Sequence, residues 1–166
     1  METRLSKRLG AVASYVQKGS RLADVGSDHA YLPLFLVENG IIDYAVAGEV
    51  VQGPYQSALT NVVQAGKEEL IQVRLANGLA AIESSDQIDT ITIAGMGGRL
   101  IADILEADLA KLVGVQRLIL QPNNREDELR IWLEAHDFQI VAEEMVTENQ
   151  KFYEILVVEA GTMELT

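Results

Sequence analysis

Short apolar runs alternate with helix-length segments through most of the chain. The apolar runs are rich in Val, Ile and Leu and are short enough for buried parallel strands. They lie at 22–25, 44–48, 71–75, 90–94 and 117–121. Between them, helical spacing of apolar positions predicts helices over 33–39, 54–65, 79–84, 100–111 and 125–136. This alternation predicts five parallel strands connected by helices.

The last two apolar runs, 138–146 and 152–160, are separated by only five residues. This link is too short for the helical crossover that parallel strands need, so the two runs are predicted to form an antiparallel hairpin. The predicted fold is therefore α/β, with a seven-stranded doubly wound sheet whose last strand is antiparallel.

The first 21 residues have a pattern of their own. Leu5, Leu9 and Val12 recur at helical spacing and predict an amphipathic helix that ends near 18–20. The cations assigned to its polar face, and predicted to contact nucleic acid, are Arg4, Lys7 and Arg8. We therefore expect a basic N-terminal helix at 1–21 and a main domain at 22–166, together forming one compact domain over 1–166.

Net charge narrows the choice of partners. The chain of 166 residues has a formal charge of −12, yet residues 1–21 hold five basic side chains against one acidic, and the rest holds eight against 24. An acidic surface disfavours nucleic acid, so any contact with nucleic acid is expected only near the N-terminus. The absence of cysteine excludes a thiolate nucleophile, and no spacing of acids and His predicts a metal site. With no apolar run near the ~20 residues of a membrane span, we expect a cytoplasmic protein that does not bind membranes.

Polar residues and glycines follow the ends of the predicted strands, where open parallel sheets bind ligands. Gly26 permits a sharp turn after the first strand, and Glu49, 23 residues later, can accept both hydroxyls of a ribose. The amide of Asn77 can read an adenine edge. The predicted cofactor-binding residues are Asp24, Gly26, Ser27, Asp28, Glu49, Val50, Asn77, Gly78, Ala94, Gly95, Met96 and Gly97.

Asp28 separates two classes of nucleoside cofactor. It stands where a dinucleotide-binding fingerprint has its second glycine, so its carboxylate would meet a pyrophosphate. A nucleotide-dependent oxidoreductase is therefore the disfavoured alternative. S-adenosylmethionine (SAM) carries an ammonium and a sulfonium instead, and an acid suits both.

The ordered set of motifs resembles the bacterial tRNA (adenine-N1)-methyltransferases that act on adenosine 22. The segments that carry the resemblance are ADVGSDHAYLP at 23–33, GEV at 48–50, ANGL at 76–79, AGMGG at 94–98 and LQPN at 120–123. It implies a class I, Rossmann-like methyltransferase fold, SAM as donor and tRNA as partner. Members of that family usually continue into a C-terminal helical domain. We therefore expect this chain to be a fragment, and a cofactor-binding module without catalysis is a further alternative.

The acceptor atom limits what catalysis requires. Neutral adenine has a lone pair on N1, so the enzyme must position and desolvate the base rather than deprotonate N1 first. Residues 94–98 offer no polar side chain. The predicted catalytic candidates are therefore Asp28 and His29, which could orient the base or take up the proton shed from N6, with Asn123 and Tyr153 as partners. The sequence leaves the oligomeric state open.

Overall fold

The computed structural model describes residues 3–160. Its strands are β1 (Arg21–Val25), β2 (Tyr44–Glu49), β3 (Ile71–Leu75), β4 (Thr90–Met96), β5 (Arg117–Pro122), β6 (Phe138–Glu148) and β7 (Lys151–Ala160). Its α-helices are α1 (Lys7–Ala13), α2 (Tyr31–Glu38), α3 (Gln52–Gln64), α4 (Gly98–Ala107) and α5 (Glu126–Ala135). The predicted bounds 1–21 and 22–166 include residues 1–2 and 161–166, which lie outside the described residues.

All seven strands form one sheet in the order β3-β2-β1-β4-β5-β7-β6. Neighbours among β1 to β5 are parallel, while β7 pairs antiparallel with both β5 and β6. The predicted doubly wound sheet with an antiparallel last strand is therefore confirmed. The chain winds outward from β1 to β3 and then returns to place β4 on the other side of β1. This reversal puts the topological switch point, where such sheets bind ligands, between β1 and β4.

Alternate residues of each strand face opposite sides of the sheet, and each side has its own apolar core. On one side, Val25 and Ile93 pack with Ile101 of α4 and Leu129 of α5. The other side is covered by α1, α2 and α3, which contribute the buried residues Val12, Leu32, Leu36, Ala58 and Val62. The sheet thus lies between two helical layers, and its carboxyl edge stays open to solvent.

The N-terminal helix is shorter than predicted. It ends at Ala13 instead of near 18–20, and the N–H groups of Tyr15 and Val16 bond to carbonyls three residues back. Gly19, with a φ of +84°, donates its N–H to the carbonyl oxygen of Ile41. The chain therefore leaves the helical path early because it is tied to the loop before β2.

Two other helix predictions differ from the structure. The segment predicted as a helix at 79–84 forms two 3₁₀ turns, Gly78–Ala81 and Ser84–Asp86. The side chain of Asp86 accepts the N–H of Glu83 and caps the second turn. The helix predicted at 100–111 is divided into α4 and a 3₁₀ turn at Leu109–Leu112. None of the helices within 3–160 has the length and apolar composition needed to cross a bilayer.

The final hairpin has longer strands than predicted. Its turn consists of Asn149 and Gln150, whose φ values of +52° and +65° are typical of a two-residue turn matched to strand twist. Because the turn takes only two residues, β6 extends to Glu148 and β7 begins at Lys151. Both residues therefore lie at the carboxyl edge.

Candidate active site

The loop between β1 and α2 is held against the end of β2. The N–H groups of Gly26 and Ser27 both donate to the carbonyl oxygen of Gly48, at 2.9 and 3.1 Å. Asp28, His29 and Ala30 then follow in the left-handed region, with φ values of +51°, +70° and +60°. Three successive non-glycine residues in this region store strain, and such strain is concentrated at functional sites.

Asp24 lies at the base of this loop and is only 4% exposed. Its carboxylate accepts the hydroxyl hydrogens of Ser27 and Thr92, both at 2.8 Å. Burial raises the pKa of Asp24 to about 7, although these two hydrogen bonds act in the opposite direction. A cation bound nearby would favour the ionised form of this side chain.

Glu49 ends β2 and is 6% exposed. Its Oε2 accepts the backbone N–H of Asp28, which joins the β1 loop to β2. Within residues 3–160, Oε1 makes no hydrogen bond. Burial raises the pKa of Glu49, while the N–H of Asp28 opposes the shift. Glu49 therefore has one oxygen that fixes the loop and another available to a ligand.

Two neighbouring cavities open along the switch point. The larger, about 310 Å³, is lined by Arg8, Leu9, Asp24, Gly26, Ser27, Asp28, Glu49, Val50, Pro54, Ala94, Gly95 and Met96. The smaller, about 110 Å³, is lined by Val25, Gly26, Gly48, Val50, Ala76, Asn77, Gly78, Met96, Leu100 and Ile104. All the predicted cofactor-binding residues except Gly97 border one of the two. Met96 borders both, and its Cε lies where a Cβ on Gly26 would stand.

Gly97 has a different environment from the other predicted cofactor residues. It caps the N-terminus of α4, and a Cβ there would lie 2.8 Å from Oδ1 of Asn124. The structure therefore gives Gly97 a packing role against the β5–α5 loop. Larger cavities lie elsewhere: one of about 590 Å³ is bordered by 82–88 and 110–114, and one of about 470 Å³ lies beside α2 and α3. Of the predicted site residues, only Arg4 borders either of them.

The four catalytic candidates lie in two pairs. In the first pair, Nε2 of His29 is 3.4 Å from Oδ1 of Asp28. Nδ1 of the same imidazole is 2.5 Å from the hydroxyl oxygen of Ser57. Asp28 is exposed, with 78% of its side chain accessible. This pair therefore presents a carboxylate and an imidazole at the rim of the larger cavity.

The second pair lies at the ends of β5 and β7. Oδ1 of Asn123 accepts a hydrogen bond from Nε2 of Gln121 at 3.1 Å. The ring of Tyr153 lies 5.7 Å from the guanidinium carbon of Arg8. Asn123 and Tyr153 are thus connected through Gln121 and Arg8. Sequence reasoning did not assign Gln121 to any site, and it assigned Arg8 to RNA contact.

The placement of Arg8 corrects the expectation that it shares an outer face with Arg4 and Lys7. Arg4 and Lys7 are exposed, whereas Arg8 is half-buried and lines the larger cavity. The spacing of Arg8 could have revealed this position. Arg8 precedes the fully buried Val12 by four residues, so the two residues share one face of the helix.

Gln121 was also missed, although it belongs to a quoted motif. It is fully buried, and its Oε1 accepts from Nη1 of Arg8 at 2.6 Å and from the N–H of Gly95 at 2.9 Å. The signal was a polar residue at the end of an otherwise apolar strand. Within residues 3–160, no cluster of three or more His, Asp or Glu side chains could bind a metal ion.

Residues 22–166 match the family described as TrmK, tRNA (adenine(22)-N(1))-methyltransferase. The matched range includes the strands and loops that border both cavities. The chain belongs to this family. A Bacillus subtilis member described as tRNA (adenine(22)-N(1))-methyltransferase is 48% identical over 160 residues, which cover 96% of this chain and 67% of that protein.

Solved structures agree with this assignment. A Streptococcus pneumoniae protein crystallised in complex with S-adenosyl-L-methionine has a TM-score of 0.95 and 68% identity, over 98% of this chain and 76% of the other. A Mycoplasma capricolum TrmK in complex with S-adenosyl-homocysteine has a TM-score of 0.85 and 32% identity, over 98% and 72% of the two chains. The predicted class I, Rossmann-like methyltransferase fold and the predicted family are therefore confirmed.

Proposed function

We propose that this protein transfers a methyl group from SAM to N1 of an adenosine in tRNA, at position 22 as the family description states. The observation that carries the proposal is the family match over 22–166, which spans every strand of the candidate site except the first residue of β1. The structure of a 68% identical relative with SAM supports the choice of donor.

The residues around the two cavities fit SAM. Glu49 has a free carboxylate oxygen for the ribose hydroxyls, and the smaller cavity combines the apolar side chains of Leu100 and Ile104 with the amide of Asn77. Asp24 and Asp28 give the larger cavity the acidic character that suits a sulfonium and an ammonium. When bound, SAM supplies an electrophilic methyl group. The exposed carboxylate of Asp28 also disfavours a pyrophosphate, which weakens the oxidoreductase alternative.

The chain's own residues position the acceptor base. The β4 end at Ala94 and Gly95 has no bulky side chain, so it leaves room for a flat ring beside the larger cavity. Asp28 can accept a hydrogen from the exocyclic amine, and His29, held by Ser57, can receive the proton that amine loses after transfer. The target adenosine must leave its base stack to enter. Lys7 and Arg4 are exposed, and Lys7 directly precedes Arg8 of the larger cavity; both cations are proposed to contact the phosphate backbone.

Methyl transfer tests the activity directly. The chain is incubated with unmodified bacterial tRNA and SAM, and the digested nucleosides are analysed by mass spectrometry. We expect 1-methyladenosine, and its loss from a transcript whose adenosine 22 is replaced by guanosine. Methylated guanosine or cytidine would refute the acceptor assignment.

Cofactor choice is tested separately by calorimetric titration with SAM and with NAD. SAM should bind and NAD should not, because Asp28 repels the pyrophosphate. Binding of SAM without any methyl transfer to tRNA would favour the reading as a cofactor-binding module. Preferential binding of NAD would overturn the proposed donor.

A further inference from the structure

Arg8 is a half-buried cation whose guanidinium has no carboxylate partner. Within residues 3–160, no Asp or Glu oxygen lies within 4.0 Å of it. Its two side-chain contacts are uncharged: Oε1 of Gln121 at 2.6 Å and the aromatic ring of Tyr153. A partly desolvated guanidinium of this kind favours an anionic ligand, because arginine binds carboxylates through paired hydrogen bonds.

The larger cavity has a distinctive distribution of charge. Three of its lining residues are acidic, namely Asp24, Asp28 and Glu49, while Arg8 is its one basic residue among those the structure describes. Arg8 lies at the β4 side, where Nη1 would be 3.5 Å from a Cβ on Gly95. Asp24 of β1 and Gly26 of the loop that follows border the same cavity. The cation and the buried acid therefore line one space.

This arrangement complements the amino-acid end of SAM. That end carries two positive groups, the sulfonium and the α-ammonium, and one negative group, the α-carboxylate. The acids of the cavity suit the positive groups, and Arg8 suits the carboxylate. We propose that Arg8 binds the α-carboxylate of SAM, so that helix α1 contributes to the cofactor site itself.

Surrounding contacts hold Arg8 ready for this role. Its backbone N–H donates to Oε1 of Glu148 at 2.6 Å, which fastens the start of α1 to the end of β6. Gln121 is oriented in turn by the N–H of Gly95 and by Asn123. Because the guanidinium is already oriented and partly desolvated, little side-chain entropy is lost when a carboxylate binds.

The test compares ligands as well as variants. Dissociation constants for SAM and for decarboxylated SAM are measured by calorimetry with the unaltered chain, with Arg8→Gln and with Lys18→Gln. Lys18→Gln is the matched control because it removes the same charge from an exposed position that borders neither cofactor cavity. Thermal unfolding of each variant establishes that it is folded.

For the unaltered chain, decarboxylated SAM should bind about ten- to a hundredfold more weakly than SAM, since a charge-assisted contact is lost. Arg8→Gln should weaken the binding of SAM by a similar factor and should have little effect on the binding of decarboxylated SAM. Lys18→Gln should leave both affinities unchanged.

Two results would overturn the inference. One is equal binding of the two ligands by the unaltered chain, which needs no variant to fold. The other is an equal loss of affinity for both ligands in Arg8→Gln, which would mean that Arg8 only shapes the pocket. The inference rests on SAM as the donor in the proposed function, and failure of the unaltered chain to bind SAM at all would refute that donor instead.

Discussion

Glu49 joins two parts of the site through one carboxylate. Oε2 holds the N–H of Asp28, and Oε1 is left for the ribose. We expect Glu49→Ala to weaken SAM binding by about ten- to a hundredfold, since charge-assisted hydrogen bonds contribute roughly 1.5–3 kcal/mol. Calorimetric titration measures the change. Glu68→Ala, at an exposed position away from the cavities, should bind SAM like the unaltered chain. Unchanged affinity in Glu49→Ala would place the ribose elsewhere.

Asp24 should make the stability of the free protein depend on pH. Its pKa is raised from 3.8 to about 7 in the folded state, so the folded chain binds the proton more tightly than the unfolded chain. The stabilisation is complete below about pH 4 and is lost as the pH rises through 7. Between pH 5 and pH 8 we expect a loss on the order of 2 kcal/mol, at 1.36 kcal/mol per pKa unit.

Urea unfolding at the two pH values measures this loss. Asp24→Asn keeps an oxygen that can accept from Thr92 but has no ionisable group, so its stability should change less over the same range. The pKa of Glu49 is also raised, so Glu49 too lowers the stability of the fold as the pH rises, and it does so equally in both proteins. Equal pH dependence with and without Asp24 would contradict the assignment.

Sequence reasoning located Asp24, Gly26 and Glu49 because strand ends of a parallel sheet meet at one edge, so position along the chain implied position in space. Arg8 and Gln121 could not be placed by the same argument. Their contact joins elements 113 residues apart and depends on how α1 crosses the edge. Periodicity defines the faces of a helix, but only packing decides which polar residue on the inner face enters a cavity.

Among the connections between elements, the one between β3 and β4 is held by a buried carboxylate. Asp86 accepts hydrogen bonds from both terminal nitrogens of Arg74, from the hydroxyl of Tyr44 and from the N–H of Glu83. Burial by itself would raise the pKa of Asp86, but these donors prevail and lower it to about 2. The connection also contains Asn77 and Gly78, which line the smaller cavity. By holding the connection in place, Asp86 therefore stabilises one wall of that cavity without lining it.

We expect Asp86→Ala to destabilise the fold by about 3 kcal/mol, because it leaves Arg74 and Tyr44 without their shared partner. Chemical denaturation measures the change. Glu83→Gln is the control: its side chain is 66% exposed and lies 3.5 Å from Arg74. Exposed pairs of this kind contribute about 0–1 kcal/mol. Similar losses in the two variants would show that the buried network adds nothing beyond a surface pair.

The same connection explains where element prediction failed. The strands were located because runs of Val, Ile and Leu leave few alternatives, and the hairpin followed from the length of its link. The segment 79–84 has an apolar content that fits a helix. The hydrogen bond from Glu83 to Asp86 instead favours a tight turn, and local side-chain bonds of this kind compete with helical ones.

For the molecule as a whole, the strongly negative charge limits how tRNA can bind. Because Arg8 lines the cavity, Arg4 and Lys7 are the two of the three predicted RNA-binding cations that are exposed. We expect weak, salt-dependent binding, and the double variant Arg4→Gln with Lys7→Gln should reduce the slope of log affinity against log salt by about 1 to 2.

Fluorescence titration of labelled tRNA at several salt concentrations measures this slope. Lys18→Gln together with Lys67→Gln is a control with the same change in net charge. An unchanged slope in the first pair would place the RNA contact on other cations. SAM affinity should be the same in all these proteins, because none of the four side chains borders the cofactor cavities.

The contact between Arg8 and Glu148 spans 140 residues, nearly the full length of the described chain. Strand β7, which holds Tyr153 beneath Arg8, lies between β5 and β6, so the sheet is incomplete until the last strand has been made. Contacts between residues so far apart in sequence form slowly, because the chain must lose loop-closure entropy before these contacts can stabilise it. During synthesis the parallel half of the sheet can assemble early, but Arg8 can contact Glu148 and Tyr153 only after residues 148–153 have left the ribosome. The arrangement of Arg8 beside the cofactor cavity should therefore be completed only after β6 and β7 have joined the sheet.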